Sequence, residues 1–304
     1  MTLALLFPGQ GSQAVGMGKA LAAESPVARI TFEEADSVLG FSLSKMCFEG
    51  PEEELKLTAN TQPAILTHSI AAYRDLEARF PERLAGAAMA AGHSLGEYSA
   101  NVAAGSMSFA EALRLVRSRG RFMQEAVPPG VGAMAAIIGL PPEEVEAACE
   151  EAARQGEIVA PANYNSPEQT VIAGHAPAVA RASELCTAKG AKRAIPLTVS
   201  APFHCALMAP ARERMRPMLH SASMKDAKYP VITNVEARSV WRAGELREAL
   251  LHQIDSPVRW VDSVRRLVKD GADRAIEIGP GAVLAGLLRR IDRALVVETY
   301  SGPA

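Results

Sequence analysis

Nowhere in the 304 residues does an uninterrupted apolar run approach the roughly 20 residues that a membrane-spanning helix needs, so no membrane is expected among the partners. Cysteine is scarce: Cys47, Cys149, Cys186 and Cys205 stand far apart, without a C-x-x-C pair or other metal-ligand spacing. No metal site or disulfide framework is expected from them, and they read as the reduced thiols of a cytoplasmic protein. Charge of one sign is not in excess either, with Lys+Arg 32 against Asp+Glu 34 and a formal net charge of −2. Nucleic-acid binding, which ordinarily shows a basic surplus or stripe, is therefore not expected, and an acidic partner would have to meet a local patch. Met1 to Phe7 is apolar but has no basic n-region and runs straight into Pro8-Gly9, so no signal peptide is expected. No internal repeat or low-complexity stretch is present. What remains is a globular composition, 48% hydrophobic and 22% charged, long enough for one large domain or two unequal ones.

The pattern along the chain is strand–helix alternation with one interruption. Leu3 to Phe7 predicts a short strand, Pro8 to Ser12 a loop, and Ile30 to Leu39 and Thr67 to Arg79 helices. Ala87 to Ala91 predicts a buried strand and Glu97 to Ala104 a helix. In Phe109 to Val127, Phe109, Leu113, Val116, Gly120, Met123 and Val127 line one helical face. Pro128-Pro129-Gly130 breaks that pattern. Beyond it the order is strand (132 to 139), helix (142 to 154), strand (157 to 162), strand (170 to 174), helix (178 to 189) and strand (193 to 199), the βαββαβ arrangement of a ferredoxin-like unit. Strand 274 to 278 and helix 283 to 290 then resume the first pattern. These elements predict an α/β domain with a mostly parallel sheet, made of residues 1–127 and 198–304, carrying a ferredoxin-like insertion at residues 128–197.

Between the strand at 87 and the helix at 97 lies Gly92-His93-Ser94-Leu95-Gly96, a G-x-S-x-G pentapeptide. A serine on a sharp strand-to-helix turn exposes its hydroxyl, and the first N–H groups of the following helix point toward it, ready to stabilise an oxyanion. Ser94 is thus a candidate acyl nucleophile, and it needs a base. The chain has six histidines. His204, in a loop at the return from the insertion, is the leading candidate, while His93, His68, His175, His220 and His252 compete on sequence alone; His93, next to Ser94 on a tight turn, is a supporting residue.

Pro8-Gly9-Gln10-Gly11-Ser12-Gln13, Gly92-His93-Ser94-Leu95-Gly96-Glu97-Tyr98, Ser118-Arg119-Gly120, Gly132-Ala133-Met134-Ala135-Ala136, Asn163-Tyr164-Asn165-Ser166-Pro167, Phe203-His204 and Glu277-Ile278-Gly279-Pro280-Gly281 follow one another along the chain. In this order they resemble the malonyl-CoA:acyl carrier protein transacylases of bacterial fatty acid synthesis. The resemblance implies a hydrolase-like α/β domain with a ferredoxin-like insertion, malonyl-CoA and holo acyl carrier protein as partners, and ping-pong transfer through a malonyl-seryl enzyme, with no metal or redox cofactor. It further implies Ser94 as nucleophile, His204 as base, the N–H groups of Gln10 and Leu95 as oxyanion hole, and Arg119 as the ligand of the malonyl carboxylate. A backbone carbonyl near Gln253 would orient His204, Asn165 would reach the substrate from the insertion, and Phe203 would restrict space beside the acyl α-carbon, favouring malonyl over methylmalonyl.

The residues alone leave some of this open. On a helical wheel Arg114 and Arg121 fall far from the apolar face, whereas Arg117 and Arg119 flank it on opposite sides, and the wheel does not choose between them. Gly9-Gln10-Gly11-Ser12-Gln13-Ala14 also fits G-x-G-x-x-A, but no second strand follows to present a carboxylate to a ribose, which speaks against a dinucleotide-binding oxidoreductase. An esterase would use the same Ser–His pair, and an inert docking subunit would use neither. Lys189, Lys192 and Arg193 form a basic cluster, either a solvated helix end or a contact for an acidic carrier protein.

Overall fold

In a computed structural model of the chain, which describes residues 2–154 and 156–302, the strands are β1 (Leu3–Phe7), β2 (Ala87–Gly92), β3 (Gly132–Ile138), β4 (Val159–Ser166), β5 (Gln169–His175), β6 (Arg193–Pro196), β7 (Val231–Ile232), β8 (Ser239–Val240), β9 (Arg274–Ile278) and β10 (Val296–Tyr300). Six of them form one sheet in the order β10-β9-β1-β2-β7-β8, parallel throughout except for the final β7–β8 pair. The other four form an antiparallel sheet in the order β4-β5-β3-β6. The architecture is therefore mixed α/β, with a mainly parallel sheet and a separate antiparallel one.

Strand β1 shows why the large sheet is read so easily. All five of its residues are buried, because helices cover both faces of a parallel sheet and leave no polar side. Leu3, Leu5 and Phe7 enter one core, while Ala4 and Leu6 enter the core on the opposite face with Trp260, Val264 and Leu284. The antiparallel sheet divides its side chains the same way. Ala135, Ile137 and Ile172 pack under the helices Pro142–Ala152 and Ala176–Ala188, while Met134, Ala136 and Val171 face away, toward the large sheet. That second face becomes one wall of a cavity.

Several boundaries differ from expectation. The helix after Ser108 ends at Gln124 rather than Val127; Ser108 Oγ accepts the Glu111 N–H at 3.1 Å at its start, while the residues before Pro128 are pushed out of helical geometry. The long helix begins at Thr58, not Thr67, since its first turns bury polar side chains (Thr58, Asn60, Thr61 and Gln62) that hide the apolar pattern. Strand β4 starts at Val159 and continues to Ser166, so Asn163-Tyr164-Asn165 is strand and not loop. Its extension is held by a distant segment: Tyr164 N–H donates to Val258 carbonyl and Val258 N–H to Ala162 carbonyl, both at 2.9 Å. The same pair of bonds joins the antiparallel sheet to the rest of the molecule. Strands β7, β8 and β10 were not anticipated; two-residue strands carry no periodicity, and β10 is half-exposed at the sheet edge.

Candidate active site

Strand β2 ends at Gly92 and the helix Gly96–Ala103 begins four residues later, so the chain must reverse over Ser94. Close approach makes glycine necessary at both flanks. A Cβ on Gly92 would lie 1.9 Å from the Gly96 carbonyl carbon, and one on Gly96 would lie 2.0 Å from the Phe7 carbonyl oxygen. Ser94 itself takes φ 50°, a left-handed conformation costly for a side-chain-bearing residue. Among the described residues only Ser94, His204 and Ala237 are non-glycines at positive φ. Two of the three face each other: Ser94 Oγ is 2.7 Å from His204 Nε2. Strain concentrated on a hydrogen-bonded Ser–His pair points to chemistry.

His204 is buried and its Nδ1 lies 2.8 Å from the backbone carbonyl of Gln253. That carbonyl can only accept, so the proton sits on Nδ1 and the Nε2 lone pair faces the Ser94 hydroxyl. Burial, reinforced by the positive charge of Arg119, pushes the imidazole down to about 3, which keeps it neutral and able to take a proton. Of the other histidines, His93 also meets the cavity, whereas His68 bonds to the Ser301 carbonyl, His175 accepts from the Ile158 N–H, and His220 and His252 face Glu248.

Arg119 is 1% exposed and Arg117 is half-buried, a distinction the helical wheel did not make. Arg117 leaves the site, donating to the Ala59 carbonyl and Asn60 and lying over the ring of Phe41. Arg119 enters it: Nη2 donates to Gln253 Oε1 at 2.7 Å and to Ser94 Oγ at 3.2 Å, and Nη1 to Gln62 Oε1 at 2.9 Å. Gly120 makes this placement possible, since a Cβ there would come within 2.6 Å of the Thr58 carbonyl oxygen and push the two helices apart. Among the described residues no carboxylate pairs with Arg119; Glu97, whose charge is felt there, is itself wholly buried and raised to about 7 by that burial. A permanent cation buried among neutral hydrogen-bond partners calls for an anionic ligand.

The cavity has a volume of about 370 Å³, and Gln10, Ser94, Arg119, Asn165, Phe203 and His204 all line it. Leu95 is buried beneath, and Gln253 lies behind Arg119 and His204. Among the described residues no acceptor meets the N–H of Gln10 or of Leu95. Asn165 Oδ1 is 2.8 Å from His93 Nε2, and His93 in turn stacks on Trp260 at 5.6 Å. So the antiparallel sheet touches the elbow through Asn165, from a strand and not a loop. Lys189 and Lys192 lie away from the cavity, near Glu151 and Glu168 at 3.7 and 3.9 Å. Gln62, Asn234 and Glu97 escaped sequence analysis. Each is a buried polar residue, Gln62 and Glu97 on helices and Asn234 in the turn after β7, and Glu97 alone stands within a quoted motif.

The neutral His204 has a measurable consequence for stability. In the unfolded chain it binds a proton near pH 6.5, whereas in the folded protein it does so only near 3. Between these values the unfolded state holds one more proton. Its contribution to stability is therefore complete above pH 6.5 and lost as the pH falls, by on the order of 1 kcal/mol per pH unit. Glu97 acts in the opposite sense between about 7 and 4.5 but is common to the protein and its His204→Gln variant. Denaturant unfolding at several pH values from about 7 to about 5 should give a steeper loss for the native protein than for the variant. Parallel curves would show that His204 is not held neutral.

The description of the matching family model is acyl transferase domain, and the match extends over residues 4–298. The malonyl CoA-acyl carrier protein transacylase of Escherichia coli (strain K12) is 48% identical over 301 residues, covering 99% of this chain and 96% of the relative. The transacylase of Bacillus subtilis (strain 168) is also 48% identical, with 99% and 94% covered. Among solved structures, a malonyl-transacylase in complex with a type II PKS acyl-carrier protein matches with a TM-score of 0.96 at 46% identity, covering 100% of this chain and 97% of that one. An acyl carrier protein S-malonyltransferase from Vibrio cholerae matches with a TM-score of 0.94 at 47% identity, with 98% and 96% covered.

Proposed function

The chain belongs to the acyl transferase family, among the malonyl CoA-acyl carrier protein transacylases, and from that premise we propose how its cavity carries out the transfer. The enzyme moves a malonyl group from malonyl-CoA to the phosphopantetheine thiol of acyl carrier protein. Ser94 attacks the thioester carbonyl as His204 Nε2 takes its proton across 2.7 Å. The oxyanion forms between the N–H groups of Gln10 and Leu95, neither of which meets an acceptor among the described residues. Collapse of the tetrahedral intermediate breaks the carbon–sulfur bond, and the CoA thiolate leaves with the proton from His204. The malonyl-seryl ester remains, its free carboxylate on the Arg119 guanidinium. The carrier-protein thiol then enters, gives its proton to His204, attacks the ester and releases Ser94.

The observation that carries this reading is Arg119: buried, without a carboxylate partner among the described residues, and 3.2 Å from the nucleophile. An esterase for neutral acyl groups would have no use for it. Phe203, at the cavity wall beside His204, leaves little room for a methyl branch on the malonyl α-carbon. Discrimination of that kind is worth about 1–3 kcal/mol. Asn165, through His93, supports the wall opposite.

The fold reading follows the same lines. Residues 128–197 form a ferredoxin-like insertion, supported by the strand order β4-β5-β3-β6 with two helices on one face. Residues 1–127 and 198–304 form a hydrolase-like domain, with the nucleophile at the carboxyl edge of a parallel sheet. We place the enzyme in the cytoplasm, supplying malonyl carrier protein to fatty acid synthesis. Among the described residues no helix is long and apolar enough to cross a membrane.

Radiolabelled malonyl-CoA separates transfer from hydrolysis. With holo acyl carrier protein present, label should move to the carrier; without it, label should stay on Ser94, with slow release of malonate. Rapid malonate release and an unlabelled carrier would make the protein a thioesterase.

A further inference from the structure

Asn234 is completely buried against the elbow, yet none of the steps above uses it. It stands two residues beyond β7, which runs parallel to β2 with Ile232 paired to Ala91. The two strands thus deliver Asn234 and Ser94 to the same edge of the sheet. There the side-chain amide spans the turn. The Ser94 N–H donates to Oδ1 at 2.7 Å, and Nδ2 donates to the Gly92 carbonyl at 2.7 Å. Asn234 is itself anchored, its N–H donating to Glu97 Oε2 at 3.0 Å and its carbonyl accepting the Arg259 N–H at 2.9 Å.

Two features of the elbow depend on this contact. Ser94 is left-handed, a shape that an L-residue leaves unless its surroundings fix it, and the amide ties down the peptide groups on both sides of His93. The bond also turns the N–H of Ser94 away from the cavity, so Leu95 supplies the elbow's free N–H. We propose that Asn234 is a positioning residue for acyl transfer: its amide clamps Gly92 to Ser94, aiming Oγ at His204 and the Leu95 N–H at the oxyanion. The proposal rests on the reading of Ser94 as the malonyl nucleophile.

Single-turnover loading of Ser94 from malonyl-CoA tests it with two variants. Asn234→Ala should lower the maximal loading rate per folded site about 100-fold, the scale of a misplacement near 1 Å, while the half-saturating concentration changes less than about threefold. Asn234→Asp keeps the acceptor for the Ser94 N–H but lacks the donor to Gly92. It should be slow near pH 8 and approach the native rate as the pH falls, when the protonated carboxyl regains that donor. The new carboxylate also couples to Glu97, which faces position 234, and to Arg119 and His204 across Gln253, so the ratio of rates is followed over the whole pH profile and its recovery at low pH, where that carboxylate is neutral, is the readout. A folded alanine variant that loads at the native rate, or an aspartate variant with no deficit or a pH-independent one, would overturn the clamp. Should the alanine variant fail to fold, the aspartate variant decides. If the native protein forms no malonyl adduct at all, the functional reading fails instead. The clamp is then tested by a fluorophosphonate, which reports the nucleophile whatever the acyl group: slower labelling of Asn234→Asp at pH 8 supports it, and equal labelling overturns it.

Discussion

Replacing Arg119 with alanine is expected to slow malonyl loading of Ser94 from about a hundredfold to a few thousandfold, while acetyl loading falls less than about tenfold. The size follows from burial. The guanidinium is 1% exposed, so the malonyl carboxylate that meets it has left water, and removing the cation strands that charge at about 3–5 kcal/mol. An acetyl group has no carboxylate to strand. Lysine at position 119 should restore only part of the malonyl rate, because a point charge does not offer the planar fork that spans Gln62, Gln253 and Ser94. The pH profile adds an independent check. Arg119 is the second cause, after burial, of the low pKa of His204, so its loss should move the acid limb of acetyl loading to higher pH. The ratio of kcat/KM for malonyl-CoA to that for acetyl-CoA decides the matter. Equal losses for both substrates would make Arg119 a structural residue.

The difference in how easily Ser94 and Arg119 can be read from sequence has a physical origin. Ser94 belongs to a local motif: strand, turn and helix follow within a few residues, and steric crowding forces glycine at fixed positions around it. Its geometry is therefore encoded in sequence neighbours. The role of Arg119 depends on what the helix Phe109–Gln124 packs against, and Gln62 and Gln253, its partners, lie 57 and 134 positions away. Amphipathic periodicity reports that a face is buried but not which side chains meet across it, so Arg117 and Arg119 stayed equivalent until the neighbouring helix was in place. Asn165 shows the same limit in another form. The strand signal stops at residue 162, but hydrogen bonds of Tyr164 and Ala162 to Val258 draw the following residues into β4. Asn234 left no trace, because a two-residue strand followed by a polar turn looks like any connection.

Ser94→Ala and His204→Ala should each lower malonyl transfer by about 10⁴–10⁶-fold, and the double variant should be no slower than Ser94→Ala alone. The two side chains work as one unit: without the imidazole the hydroxyl keeps its proton, and without the hydroxyl the imidazole has nothing to activate. Additive losses would mean that the 2.7 Å contact is not the route of the proton. The orienting group makes the pair unusual in its electrostatics. A carboxylate commonly holds the base of such a pair, but here the Gln253 backbone carbonyl receives the Nδ1 proton at 2.8 Å. A carbonyl fixes the tautomer as well as a carboxylate does, yet it brings no negative charge to a cavity that must admit a malonate. The cost is a less stabilised imidazolium, and the burial that depresses the His204 pKa makes that cost larger in the substrate-free site. The malonyl carboxylate, once on Arg119, neutralises the second cause of that depression. Binding of a malonyl group should therefore raise the pKa of His204 and make it a better base, whereas an acetyl group leaves it low. The acid limb of kcat should accordingly lie at higher pH for malonyl than for acetyl loading, and above that limb the malonyl rate advantage should persist in kcat and not only in KM. An advantage confined to KM would show that Arg119 binds the substrate without tuning the base.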